Sequence, residues 1–186
     1  MEAFKRKIYT YQYYEKLPEG PAYQLIDGDL IMTPAPTLYH QAIVGQMFEA
    51  LSEFVKRKHL GVVFLSPIDV YLSETETYQP DVVFISSERR TILGEKKVEG
   101  APDLIVEILS PSTGYYDLTH KKSIYESSGV KEYWLIDPQE RSIEVLENVG
   151  REFRVAGVAK DKGTVASAIL DGFSVKLQEL FRLIGE

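Results

Sequence analysis

Pro102-Asp-Leu-Ile-Val-Glu-Ile-Leu109 is the stretch on which the fold turns. Its aliphatic run predicts a strand buried on both faces, yet Glu107 sits inside it. An ionised carboxylate on such a strand is costly unless something cationic compensates it. Upstream, Tyr78-Gln-Pro-Asp-Val-Val-Phe-Ile85 repeats the pattern around Asp81. Two readings stand for each carboxylate: a divalent-metal ligand, or a strand-mouth residue in contact with water. Downstream, Ser110-Pro-Ser-Thr-Gly114 predicts a loop, and Asp117 can cap a helix running to about Ser128, where Gly129 stops it. Lys131-Glu-Tyr-Trp-Leu-Ile-Asp137 predicts a further strand ended by Asp137-Pro138. Strand, helix, strand in that order predicts a right-handed crossover between parallel strands, so the later strand joins the sheet of Glu107.

Working toward the N-terminus, Ala22 to Ile26 and Asp29 to Thr33 flank Asp27-Gly28, a two-residue hairpin turn of type I′. Pro34 and Pro36 break the second strand, Thr37 can cap a helix, and Val44, Met47, Phe48, Leu51 and Val55 recur at helical spacing to about Lys58. Gly61 to Leu65 and Ile68 to Leu72 read as one strand bent at Pro67 or as two short ones, before a polar loop from Ser73 to Thr77. Ser86 to Leu93 predicts a short helix closed by Gly94, and Glu95 to Gly100 a charged linker. Beyond the Trp134 strand, 141–147, 152–158 and 164–168 predict short outer strands, and Val175 to Phe181 a terminal helix.

A chain of 186 residues is long enough for one domain burying roughly 70% of its unfolded surface, and a single domain over 1–186 is expected. Hydrophobic content of 44% and charged content of 26% are those of a globular protein. No apolar run approaches the ~20 residues of a membrane helix, and Met1 to Ile8 carries basic residues without the apolar stretch of a secretory signal, so a cytoplasmic, non-membrane protein is expected. Cysteine is absent and His40, His59 and His120 are scattered, which argues against thiolate or histidine-based zinc sites. The net charge of −7 argues against nonspecific coating of nucleic acid but leaves room for a local basic groove. Candidates are Lys5 to Lys7, Lys56 to Lys58, Arg89-Arg90, Lys96-Lys97 and Lys121-Lys122, though a solvated face is the favoured reading of each.

Helix, strand, strand, strand, helix, strand is the core order of the PD-(D/E)XK nucleases, and several blocks resemble one family of that superfamily, Uma2, also known as DUF820. They are Tyr23-Gln-Leu-Ile-Asp-Gly-Asp-Leu30, Thr33 to Pro36 with His40, Pro80-Asp81, Pro102 to Thr113, Asp117-Leu118 with Lys121 and Tyr125, and Gly129 to Pro138. The resemblance spans about 20–147. It implies an α/β, restriction-endonuclease-like core: a mixed central sheet flanked by helices, with the N-terminal hairpin and extra C-terminal strands appended. It also implies a metal-dependent endonuclease acting on DNA, with a homodimer as the default assembly.

The resemblance assigns Asp81 and Glu107 as catalytic metal ligands, with the Ile108 backbone carbonyl as a third donor; all-oxygen ligation favours Mg²⁺ or Mn²⁺. Spacing chooses between the two Pro-Asp pairs. Only three residues separate Asp103 from Glu107, too few to leave one strand and return on the next, whereas 25 separate Asp81 from it. Asp103 is therefore expected to start its strand, exposed at the edge. Two positions depart from the pattern. Leu109 stands where the Glu-X-Lys form has lysine, and Lys121 is the candidate replacement, favoured over Lys122: with Asp117 and Tyr125 at four-residue spacing it projects from one helical face, while Lys122 points about 100° away. The competing reading of Lys121 is a surface ion pair with Asp117. Gln24 stands where glutamate is expected, keeping the shape and losing the charge. Gln24, His40, Asp117 and Tyr125 are accessory candidates; for His40 a hydrogen-bonding role is favoured over contact with phosphate or metal.

Trp134 reads as core, and Ser110 and Ser112 lack a nucleophile elbow. The competing function is a degenerate nuclease fold that binds nucleic acid or a protein partner without cutting, motivated by Leu109, Gln24 and the acidic charge. A glycosidase reading of the paired carboxylates finds no supporting signature.

Overall fold

A computed structural model of the chain describes residues 6–18, 23–111 and 114–182. After a single helical turn, α1 (Tyr11–Tyr14), the strands β1 (Tyr23–Ile26) and β2 (Asp29–Met32) pair antiparallel with Leu25 opposite Leu30. Asp27 and Gly28 both take positive φ, 49° and 73°, as the two-residue turn requires. A Cβ on Gly28 would meet the Ile8 side chain at 2.5 Å, so glycine is needed there twice over. Ala22 of the expected strand lies outside the described residues. Helix α2 (Leu38–Lys58) is capped by Thr37, whose side chain accepts from the His40 amide, and buries Val44, Met47, Leu51 and Val55.

The bend at Pro67 separates two strands that join different sheets. β3 (Gly61–Leu65) enters a six-stranded sheet, while β4 (Asp69–Ser73) enters a five-stranded one built on the hairpin. The expected polar loop and charged linker are corrected here. Glu76–Tyr78 forms β5, fully buried between β1 and β4, and Lys97–Glu99 forms β7, parallel to β4. Between them, β6 (Val82–Ser86) starts one residue after Asp81, and Ser87–Ile92 makes the expected short helix as a 3₁₀ segment.

β8 (Leu104–Ile108) carries Glu107. It is followed by α3 (Gly114–Tyr116), a π-helical turn (Asp117–Lys121), α4 (Lys122–Ser128) and β9 (Glu132–Asp137). Asp117 is thus inside the helical segment and not its cap, because helical backbone already begins at Gly114. Ser112 and Thr113 of the expected loop lie outside the described residues. β8 and β9 are parallel, with Glu107 opposite Leu135, as the crossover predicts. The six-stranded sheet has the order β11-β10-β9-β8-β6-β3, where β10 is Ser142–Asn148 and β11 is Phe153–Lys160. β12 (Thr164–Ala166) pairs with β13 (Ser174–Lys176), so the expected terminal helix shrinks to one turn, α5 (Leu177–Leu180).

Alternation along β8 divides the core. Leu104, Val106 and Ile108 face α2 and the C-terminal segment with Trp134, whereas Ile105 faces Tyr78, Tyr125 and Tyr133 on the other side. Glu107 shares the face of Ile105.

Asp103 is corrected outright: it is 1% exposed. Its carboxylate accepts from the Ser86 amide at 2.8 Å and pairs with Lys131 at 2.7 Å and Arg89 at 3.5 Å, tying β6 to both ends of the β8–β9 crossover. Burial alone would push its carboxyl up, but Lys131 and the Ser86 amide outweigh it and hold the pKa below the ordinary 3.8. A depressed carboxyl contributes stability that is complete above the unfolded-state pKa and is lost as pH falls toward the folded one. The difference in unfolding temperature between the wild-type chain and Asp103→Asn is therefore expected to be constant near neutrality and to shrink as pH falls below about 4. A gap that stays constant to lower pH would overturn the assignment.

Candidate active site

Because side chains alternate along β8, Glu107 turns away from α2 and toward the helical segment of the crossover. It is 4% exposed. Its Oε1 receives the Lys121 ammonium at 3.1 Å and the Tyr125 hydroxyl at 2.9 Å. Lys121, 2% exposed, also meets Asp117 Oδ1 at 2.7 Å, and Tyr133 donates to the Asp117 carbonyl at 3.1 Å. Asp117, Lys121 and Tyr125 thus share one inward face, as their spacing predicts. The surface-pair reading of Lys121 is excluded by its burial. A π-helical turn centred on these residues widens the helix where two charged side chains must enter the same space.

The charges of this cluster depend on one another. Burial pushes the Glu107 carboxyl up, with Asp117 and Asp81 adding to the rise and Lys121 opposing it. Burial pulls the Lys121 ammonium down, but Glu107 and Asp117 outweigh it and hold its pKa above the ordinary value. Lys121 therefore stays charged at neutral pH.

Asp81 reaches the same place from the neighbouring strand. Lying just ahead of β6, it accepts the Ile108 amide on Oδ2 at 2.8 Å, which fixes its carboxylate beside the residue that follows Glu107. His40, in the first turn of α2, comes from the opposite side. Its Nε2 lies 3.1 Å from the Ile108 carbonyl and 3.5 Å from Asp81 Oδ2. A carbonyl only accepts, so Nε2 carries the proton in that bond. Burial lowers the imidazole pKa, but Asp81 and the Ile108 carbonyl outweigh it and raise it above 6.5. Nδ1 is buried without a hydrogen-bond partner among the described residues.

Gln24 spends its amide on structure: Oε1 accepts the Gln79 amide at 3.1 Å and Nε2 donates to Thr33 at 3.2 Å. It braces the segment leading into Asp81. Gln24, His40, Asp81, Glu107, Ile108 and Lys121 all line one cavity of about 890 Å³. Leu109 lines it as well and carries no charge, while Lys121 is the ammonium that meets Glu107.

The donor set suits a hard cation. Among the described residues no group of three or more His, Cys, Asp or Glu side chains is gathered closely enough to hold a metal ion. Mg²⁺ does not need such a cage; it is commonly held by one or two carboxylates, with water and substrate phosphate completing the octahedron. Among the described residues, Asp81 and Glu107 each engage their partners through a single oxygen, and with Ile108, whose carbonyl is a further oxygen donor, they line the same cavity.

One neighbouring cluster escapes sequence reasoning. Glu76, on the strand read as a loop, accepts from the Asp27 amide at 3.0 Å, bonds the Tyr78 hydroxyl and meets His120 Nε2 at 3.0 Å. The Tyr78 ring lies 5.7 Å from Lys121 Nζ and packs edge-on against Tyr125. The hairpin turn is thereby linked to the lysine through buried groups. Only the pairing of Tyr78 with a strand-forming context was available as a signal.

Comparison with known proteins places these features in a family. The Uma2 model, described as "Putative restriction endonuclease", matches residues 11–178. An uncharacterized protein of Synechocystis is 27% identical over 130 residues, covering 68% of this chain and 72% of that protein. A crystal structure from Anabaena variabilis, titled as a "putative nuclease belonging to DUF820", superposes with a TM-score of 0.77 at 24% identity, covering 92% of this chain and 97% of that one. At that identity the likeness shows a shared fold.

Proposed function

Because the chain belongs to the Uma2 family, we propose that it is a divalent-metal-dependent endonuclease hydrolysing phosphodiester bonds in DNA, with its active site at the cavity of Asp81, Glu107 and Lys121. The observation that carries this reading is the buried Lys121 ammonium 3.1 Å from Glu107, in the same cavity as Asp81. Asp81, Glu107 and the Ile108 carbonyl would hold Mg²⁺ or Mn²⁺. When bound, that ion supplies an activated water and neutralises charge developing on the phosphate.

The remaining roles belong to the chain. Lys121 is held protonated by two carboxylates, so it acts as a fixed positive charge beside the phosphate and not as a base. At about 4 Å and an effective dielectric of 20, such a charge interacts with a phosphate at roughly 4 kcal/mol. Asp117 fixes where the ammonium points and Tyr125 holds the Glu107 oxygen that the ammonium meets, both as positioning residues. His40 donates to the Ile108 carbonyl and keeps that backbone turned toward the cavity. Gln24 holds the hairpin against the Asp81 segment.

Cleavage of supercoiled plasmid with Mg²⁺, Mn²⁺ or EDTA tests the reading. Nicking is expected with either ion, not with EDTA, and is expected to fall at least about 10²-fold in Asp81→Asn purified identically. Activity that survives Asp81→Asn would remove Asp81 from the site. A second reading, a nuclease fold that binds without cutting, is favoured by Leu109 and by the commitment of Gln24 to Gln79. It gains if no sample cuts and Mn²⁺ does not bind at millimolar concentration.

A further inference from the structure

We propose that the cavity receives an unpaired nucleotide of a DNA strand, and not the backbone of an intact duplex; this rests on the nuclease reading of the same site. The first reason is where the positive charge lies. Among the described residues lining the cavity, Lys121 is the single Lys or Arg, and it is already shared between Glu107 and Asp117. In four of the basic runs singled out in the sequence, one member is engaged elsewhere. Arg6 pairs with Asp27 and Asp29, Lys58 reaches the Asp171 carbonyl, Arg89 meets Asp103, and Lys97 sits between the rings of Tyr11 and Tyr71. Duplex DNA carries one charge per ~1.7 Å of axis, and a protein that tracks it needs a row of cations along the groove. No such row lines the cavity among the described residues.

The second reason is the wall. Met32, Pro34, Pro36, Tyr39, Pro67 and Pro111 contribute to it from separate loops and elements, so an acidic floor is enclosed by apolar surfaces. Such surfaces suit the faces of unstacked bases, which bind single strands without regard to sequence. Gln41 and Gln139 add neutral amides able to meet base edges. The third reason is size: about 890 Å³ falls in the range of small-ligand sites, ~300–1,000 Å³. An extruded or single-stranded nucleotide belongs to that class, and a duplex does not.

Fluorescence anisotropy of the full chain in Ca²⁺, with a labelled single strand and the duplex of the same length, tests the proposal. The single strand is expected to bind at least about tenfold tighter, with a log K against log salt slope of magnitude only about 1–2. Met32→Asp is expected to weaken single-strand binding about tenfold, since the site loses apolar surface and gains an anion; Met32 is 58% exposed, so the fold tolerates the change. Duplex bound as tightly as single strand, a slope of magnitude about 6 or more, or unchanged affinity in Met32→Asp would each overturn the proposal. If the plasmid is still nicked in those cases, the nuclease reading stands without it. Single-strand binding by a chain that nicks nothing would keep the proposal and remove the nuclease. Absence of binding to either strand form overturns the proposal, and the plasmid result alone then decides the activity.

Discussion

Lys121→Ala is expected to lose metal-dependent nicking by about 10²–10³-fold, the usual effect of removing one positioned charge stabiliser from a water-poor site. It is also expected to cost about 3–5 kcal/mol of stability, because Glu107 and Asp117 would then face each other in the interior without the ammonium that now bonds both. The two effects have different origins and can be separated. Urea unfolding midpoints read the second, and nicking rates below the unfolding transition read the first. Adding Asp117→Asn removes one of the two stranded carboxylates, so the double variant should regain part of the lost stability while staying inactive. A Lys121→Ala chain that is destabilised yet cuts at the wild-type rate would assign the lysine to folding alone. Recovery of activity in the double variant would do the same.

That lysine was legible because helical periodicity is a local property. Asp117, Lys121 and Tyr125 recur at four-residue spacing, and any helical backbone close to ideal brings them to one face. The parallel β8–β9 pair was legible for a similar reason, since handed crossovers leave few alternatives. What sequence could not supply were partners distant along the chain. Glu76 and Thr77 look like loop residues, yet both are buried in the pairing of β5 with β1 and β4, and His120, 44 positions away, meets the Glu76 carboxylate. Asp103 looks like an exposed strand start until Arg89 and Lys131 converge on it. In both cases the apparent polarity of the segment is cancelled by a tertiary partner, and a local pattern cannot register that cancellation. The π-helical turn has no marker of its own: nothing between Asp117 and Lys121 distinguishes it from ordinary helix. Asp81 was placed inside a strand and lies one residue before it, where its carboxylate can turn toward the Ile108 amide.

Glu132→Ala is expected to be among the most destabilising single changes available to this chain, at about 3–5 kcal/mol, because several buried donors lose their acceptor together. Glu132 and Glu107 are buried glutamates on adjacent parallel strands, but they point to opposite faces of the sheet and are satisfied in opposite ways. Glu107 meets a charged ammonium and a phenol at a cavity wall. Glu132 is fully buried and collects neutral donors: Trp134 Nε1 at 2.6 Å and the Ser167 hydroxyl at 2.8 Å on Oε1, with the Ala168 and Ile169 amides on Oε2. Burial raises its carboxyl pKa, and those donors oppose the rise. All four partners donate, so Glu132→Gln is not conservative; one end of its amide would present N–H groups to donors. Both substitutions release the 167–169 segment from the start of β9. With a total stability of about 5–15 kcal/mol typical of such a domain, the loss in Glu132→Ala takes a large share of it. Trp134, the single tryptophan, donates directly to Glu132, so its fluorescence reports the event from within. The expected result is a lowered unfolding midpoint followed through Trp134, with nicking unchanged while the chain remains folded. Lost nicking in the folded variant would mean that the sheet transmits changes from one face to the other, and that the separation between a structural and a functional buried glutamate does not hold.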